Sequence, residues 1–242
     1  MDDHAASPSF FIGWDVGGWN CDKNPKSRDA IVILDESLKV VGKPWRGNLR
    51  DSINGAVSSH DWTASLFRLC HSEGSGATPV TLAIDTPLGF SEEFLALATG
   101  MHASGPIEDS PSNRYLYRHT ERCLFKGKSG PLSAIKDMIG SQATKGMHVV
   151  AKFAPHIESC GVWTDGENLG VIETYPTACR NTQAVKLLLK GRKLLAHDDL
   201  NDARICALVA CLFVTRRSSL VGPSDDVPRR EGWIWIPEQG NT

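Results

Sequence analysis

The chain has 242 residues, 41% hydrophobic and 22% charged, with a formal net charge of −2. This length supports one domain with a sizeable core, and the balanced charge argues against a globally basic nucleic-acid binder while leaving room for a local basic patch. Seven cysteines, none in C-x-x-C spacing, speak against a disulfide framework or a zinc site and point to reduced thiols.

The acidic start Met1-Asp2-Asp3-His4 does not read as a signal peptide, and no apolar run reaches the roughly 20 residues of a membrane span. A soluble, cytoplasmic protein without membrane contact is expected. Residues 1–8 read as a flexible tail before one domain over 9–242.

"FFIGWDV" (10–16) is β-prone and apolar and ends at Gly17-Gly18, giving strand one. "DAIVILD" (29–35) and "SLKVVGKPW" (37–45) give strands two and three, a meander. Residues 52–72 carry apolar residues at helical spacing. "PVTLAID" (79–85) is strand four, broken by Thr86-Pro87-Leu88-Gly89, with Ser91 placed to cap a helix. Residues 100–168 form an insertion, with a basic stretch "SNRYLYRHTERCLFKGK" and helical pattern over 131–158. "LGVIETYP" (169–176) is strand five, and 177–190 reads as a helix. "HDDLNDARICALVACLFVTRR" (197–217) is the clearest helix, acidic at its start and basic at its end. "EGWIWIP" closes the chain as a short extended segment. A meander followed by alternating strands and helices predicts a mixed α/β sheet with helices on both faces.

Four of these segments place acids at comparable spots: Asp15, Asp85 and Glu173 near strand ends, and Asp199 and Asp202 one turn apart on the late helix. If strands one, four and five are parallel neighbours, their acids converge at the carboxyl edge of the sheet. Such a cluster needs protons or cations, and hard oxygen donors select Mg²⁺ or Mn²⁺. Two such ions about 4 Å apart can clamp the attacking and leaving oxygens of a phosphodiester.

The segments "GWDVGG", "AIDTPLGF", "VIETYP", "HDDLNDARICALVA" and "EGWIWIP" together resemble domain-of-unknown-function family 429, described as predicted nucleases of the ribonuclease H-like superfamily. "DLNDA" also resembles the acidic helix of RuvC-type junction resolvases. The resemblance spans residues 12–237. It implies a five-stranded ribonuclease H-like sheet of order 3-2-1-4-5 with strand two antiparallel and a helical insertion between strands four and five. It further implies a metal site of Asp15, Asp85, Glu173 and Asp202 with Asp199 close by, acting on nucleic acid or a nucleotide. The chain departs from the usual pattern in carrying Asp rather than Glu in the second acidic segment.

Arg114, Arg118 and Arg122 recur every fourth residue, followed by Lys126 and Lys128. On a helix they would form a phosphate-binding stripe beside Tyr115 and Tyr117. A solvated helix face is the competing expectation. His197 could shuttle protons, assist the metal site or be an exposed pre-cap residue, Asp198 or Asp199 could cap the helix, and Glu231 could pair with an arginine or line the site. Two rival functions stand beside metal-dependent hydrolysis. One is an actin-like or sugar-kinase-like phosphotransferase, because "DVGG" resembles its first phosphate loop. The other is a non-catalytic nucleic-acid-binding module that keeps the fold.

Overall fold

The computed structural model describes residues 9–74, 78–107, 109, 112–124 and 131–238. The first half runs β1 (Phe10–Asp15), β2 (Asp29–Leu34), β3 (Trp45–Gly47), α1 (Arg50–Gly55), α2 (Ser59–Leu69), β4 (Val80–Asp85), α3 (Glu92–Gly100) and α4 (His119–Leu124). The second half runs α5 (Gly140–Phe153), β5 (His156–Ser159), β6 (Val162–Thr164), β7 (Leu169–Thr174), α6 (Pro176–Cys179), α7 (Gln183–Leu189), α8 (Asp198–Thr215), β8 (Leu220–Val221) and β9 (Ile234–Pro237).

The protein is α/β, with a mixed sheet between helices. Its main path is β3-β2-β1-β4-β7-β6-β5. β1, β4 and β7 are parallel neighbours, and β2 is antiparallel to β1. The outer edge of β7 is shared: β6 pairs antiparallel with its first half, and β9 pairs parallel at Glu173 and Thr174.

The five-strand expectation is therefore too small. Strands one, two, four and five correspond to β1, β2, β4 and β7, but the sheet continues beyond the outer edge of β7 through β6 and β5 and through β9 and β8. The region expected to be helical over 131–158 ends in a strand, since α5 stops at Phe153 and the β5–β6 hairpin follows. Strand three is displaced: the ladder forms at 45–47, and Val40 makes only an isolated bridge with Leu34. The helix expected over 52–72 divides at Ala56 into α1 and α2, and that over 177–190 divides into α6 and α7.

Alternation sorts the sheet residues onto two cores. Phe11, Val32, Ala83 and Ile172 pack against α8. Ile12, Trp14, Ile33, Leu82, Ile84 and Val171 pack against α2 and α5. α8 sits very close to β1 because Gly13 has no side chain. A Cβ there would lie 1.8 Å from the carbonyl oxygen of Ala203 and 2.5 Å from the amide nitrogen of Ala207. No helix among the described residues is long and apolar enough to cross a membrane, and all seven cysteines are free.

Candidate functional site

Asp15 and Asp85 are register partners at the last residues of β1 and β4. Partners across a ladder share a face, and neighbouring strands lie about 4.8 Å apart, so the two carboxylates stand side by side on the α8 face. Both are half-buried, and no donor among the described residues hydrogen-bonds to either carboxyl group. Burial, then the mutual repulsion with Asp85 and the charges of Asp199 and Asp202, push the Asp15 pKa well above the carboxylate range. Burial, then Asp202 and Glu173, do the same to Asp85.

They open onto a cavity of about 210 Å³ whose wall also includes Thr86, Glu173, Tyr175, Gln142, Ile139 and Leu132. Thr86 is 5% exposed, and its Oγ1 has no hydrogen-bond partner among the described residues. A buried hydroxyl without a partner is costly unless a ligand or solvent completes it. Sequence reasoning missed Thr86, although it directly follows Asp85.

Glu173 is not on the same face. It pairs in register with Ile84, one residue before Asp85, so its side chain continues the opposite core. There Arg118 grips it: Nη1 donates to Oε2 at 2.8 Å and Nη2 donates to Oε1 at 2.6 Å, while the Leu88 amide donates to Oε2 at 2.9 Å. Arg118 also donates through Nε to Glu121 Oε1 at 2.8 Å and through Nη1 to the Glu231 carbonyl at 2.9 Å. Burial raises the Glu173 pKa, and Arg118 opposes that rise.

Asp199 and Asp202 are each engaged. Asp199 accepts from Arg46 Nε at 2.8 Å and from the Arg28 amide at 3.0 Å, tying α8 to β3. Asp202 accepts from Arg180 Nη2. Burial, its largest influence, raises the Asp202 pKa, and Arg180 opposes that rise. His197 is the N-cap of α8, where its Nδ1 accepts from the Asp199 amide, so the cap is not an aspartate. The buried Glu231 carboxylate accepts from the amides of Glu92 and His119, and Arg118 reaches the Glu231 backbone carbonyl instead.

The expected two-ion set of Asp15, Asp85, Glu173, Asp199 and Asp202 does not fit this geometry, because three of its members, Glu173, Asp199 and Asp202, are held by arginines in buried or half-buried pairs. Among the described residues, no group of three or more His, Cys, Asp or Glu side chains stands in metal-holding geometry. The two donor-free carboxylates nevertheless fit one hard cation that keeps waters and takes further oxygens from a substrate, the usual Mg²⁺ arrangement.

The basic stripe does not form. Arg114 lies in a turn and faces Glu93 at 3.4 Å, Arg118 is buried in the ion cluster, and Arg122 Nε donates to the Arg118 carbonyl. Tyr115 receives the Ser104 amide, and Tyr117 lies under Lys136, so both rings have internal contacts. Lys126 and Lys128 lie outside the described residues.

The Gly17-Gly18 turn is organised from within. The Gly17 amide donates to Asp29 at 2.9 Å and the Trp19 amide to Ser141 Oγ at 3.0 Å. Lys145, fully buried, meets Asp29 and both glycine carbonyls. This pair was not foreseen, although Asp29 is a charge at the start of an otherwise apolar strand and Lys145 a charge on the buried face of α5.

No protein-family model matches this chain, and no curated protein or solved structure matches it either.

Proposed function

We propose that the protein is a divalent-cation-dependent hydrolase of phosphodiester bonds with a ribonuclease H-like fold, as its likeness to family 429 implies. The observation that carries the reading is the in-register pair Asp15–Asp85, donor-free at the carboxyl ends of two parallel strands and open to a cavity. Parallel strand ends are where α/β sheets build sites. Asp15 and Asp85 would hold one Mg²⁺ or Mn²⁺, with Asp202 beside them. When bound, that ion supplies Lewis acidity toward a phosphoryl oxygen and a lowered pKa for a coordinated water.

The chain's own residues do the rest. Thr86 Oγ1 offers an uncommitted hydroxyl to a substrate oxygen, and Gln142 and Tyr175 line the approach. Glu173, itself on the cavity wall, serves the scaffold by holding Arg118 and the Leu88 amide behind it. The phosphotransferase reading is disfavoured by the Gly17 and Trp19 amides, which already serve Asp29 and Ser141 and cannot also cradle a phosphate.

Thermal melts with excess Mg²⁺ or Mn²⁺ test the reading. At 100 times its dissociation constant, a ligand bound only by the folded state adds roughly 2.7 kcal/mol. Wild type is expected to gain this, and Asp15→Asn and Asp85→Asn to gain nothing while remaining folded. Cleavage of single-stranded and duplex DNA and RNA by wild type, lost in both variants, completes the test. Equal cation stabilisation of all three proteins would remove these residues from the site.

A further inference from the structure

The acids near the cavity have arginine partners of very different accessibility. Arg118 and Glu173 are 4% and 3% exposed in their side chains, a sealed pair. Arg46 and Asp199 are 18% and 12% exposed. Arg180 is 51% exposed, its partner Asp202 is 23% exposed, and their contact is through one nitrogen and one oxygen. Asp202 Oδ2 meets no donor among the described residues. An exposed single-contact pair of this kind is weak and easily exchanged, whereas a forked arginine is well suited to phosphate oxygens.

A second observation points to a ligand here. Thr86 is 95% buried, lies on the cavity wall beside Asp15 and Asp85, and carries a hydroxyl with no partner among the described residues. The cavity thus holds two donor-free carboxylates and one unsatisfied hydroxyl, and Asp202, whose charge bears on both carboxylates, is covered by a half-exposed cation.

We infer that Arg180 is an exchangeable counter-ion: it covers Asp202 in the free protein and passes to an anionic phosphate-ester oxygen of the substrate. The inference rests on the cation reading of Asp15 and Asp85. Its consequence is reciprocal coupling. A phosphate ester that takes Arg180 uncovers Asp202 and strengthens the site for a divalent cation, and the cation strengthens the ester by the same factor. The free protein would bind the cation weakly, and the pair of ligands would bind together.

Calorimetric titration of Mg²⁺, with and without saturating dimethyl phosphate, tests this in wild type, Arg180→Ala, Arg180→Lys and Asp85→Asn. In wild type each ligand is expected to tighten the other about 5-fold or more. Arg180→Ala should bind Mg²⁺ more tightly than wild type without the ester and show no coupling. Arg180→Lys, which keeps a cation over Asp202, should keep the weaker Mg²⁺ affinity of wild type. Mg²⁺ binding that Asp85→Asn abolishes but Arg180→Ala leaves unchanged, coupling included, would overturn the role of Arg180 and spare the cation site. No Mg²⁺ binding to folded wild type, with or without the ester, would overturn both.

Discussion

Asp85 and Glu173 sit at the ends of adjacent parallel strands, but one residue of register separates them and sends their side chains to opposite faces. Asp85 is left facing Asp15 without a donor, and Glu173 enters a sealed cluster with Arg118 and Glu121. Removing one member of a buried ion pair costs about 3–5 kcal/mol, because the other charge stays behind in a dry site. Arg118→Met is therefore expected to destabilise the protein by about that amount in urea unfolding. An arginine serving an exposed nucleic-acid surface would leave stability within about 0.5 kcal/mol of wild type, and that result would refute the buried role. Lys145→Met should behave like Arg118→Met, since Lys145 and Asp29 are both 0% exposed. Asp29 would keep its donors from Trp14, Gly17 and Leu49, so the loss should fall toward the lower end of that range.

At the scale of elements, the position of the candidate site depends on how closely α8 approaches β1. Gly13 allows the helix backbone to pass where a side chain would stand, which brings the first turns of α8 beside Asp15. Gly13→Ala puts a methyl group into backbone rather than into a side chain that could turn away. Overpacking of this kind costs about 1–3 kcal/mol and more where nothing can yield, so a melting point lowered by at least about 2–4 °C is expected. An unchanged melting point would mean that α8 can shift on the sheet at little cost. Elements that hydrophobic period defines were legible in the sequence: β1, β2, β4, β7 and α8 lie within about two residues of their expected bounds, an ordinary boundary error. β5 and β6 were not, because "HIESCGVWT" is short, interrupted by Gly161 and exposed on its first strand, so no alternation marks it. The arginine stripe failed for a related reason. Its spacing of four suits a helix, but the helix begins only at His119, after Arg118 has already turned inward. Convergence of Asp15 and Asp85 was readable from strand ends. The partners of Glu173, Asp199 and Asp29 were not, since Arg118, Arg46 and Lys145 lie 55, 153 and 116 residues away in sequence.

Over the whole molecule these local charges set how stability varies with pH. Asp165 has its carboxyl held below the usual range: burial pushes up, but the amides of Leu169 and Glu167 and other donors outweigh it. A depressed carboxylate contributes stability above its unfolded pKa, near 3.9, and loses it as pH falls through the folded value. Asp15 and Asp85 act in the opposite sense. Their raised pKa values mean that the folded protein holds protons the unfolded chain has released, so stability declines as pH rises above about 4 until both are ionised. Without divalent cations, the melting point should therefore fall across the mildly acidic range toward neutrality. The Asp15→Asn, Asp85→Asn double variant should show a flatter profile and a higher melting point at neutral pH. Excess Mg²⁺ should restore neutral-pH stability to wild type and leave the double variant unmoved. Calorimetric scans between pH 4 and 8, in chelator and in Mg²⁺, measure all three effects. Parallel profiles for wild type and variant in chelator would mean that the two carboxylates ionise freely, and the candidate site would then lack the repulsion that makes a cation favourable there.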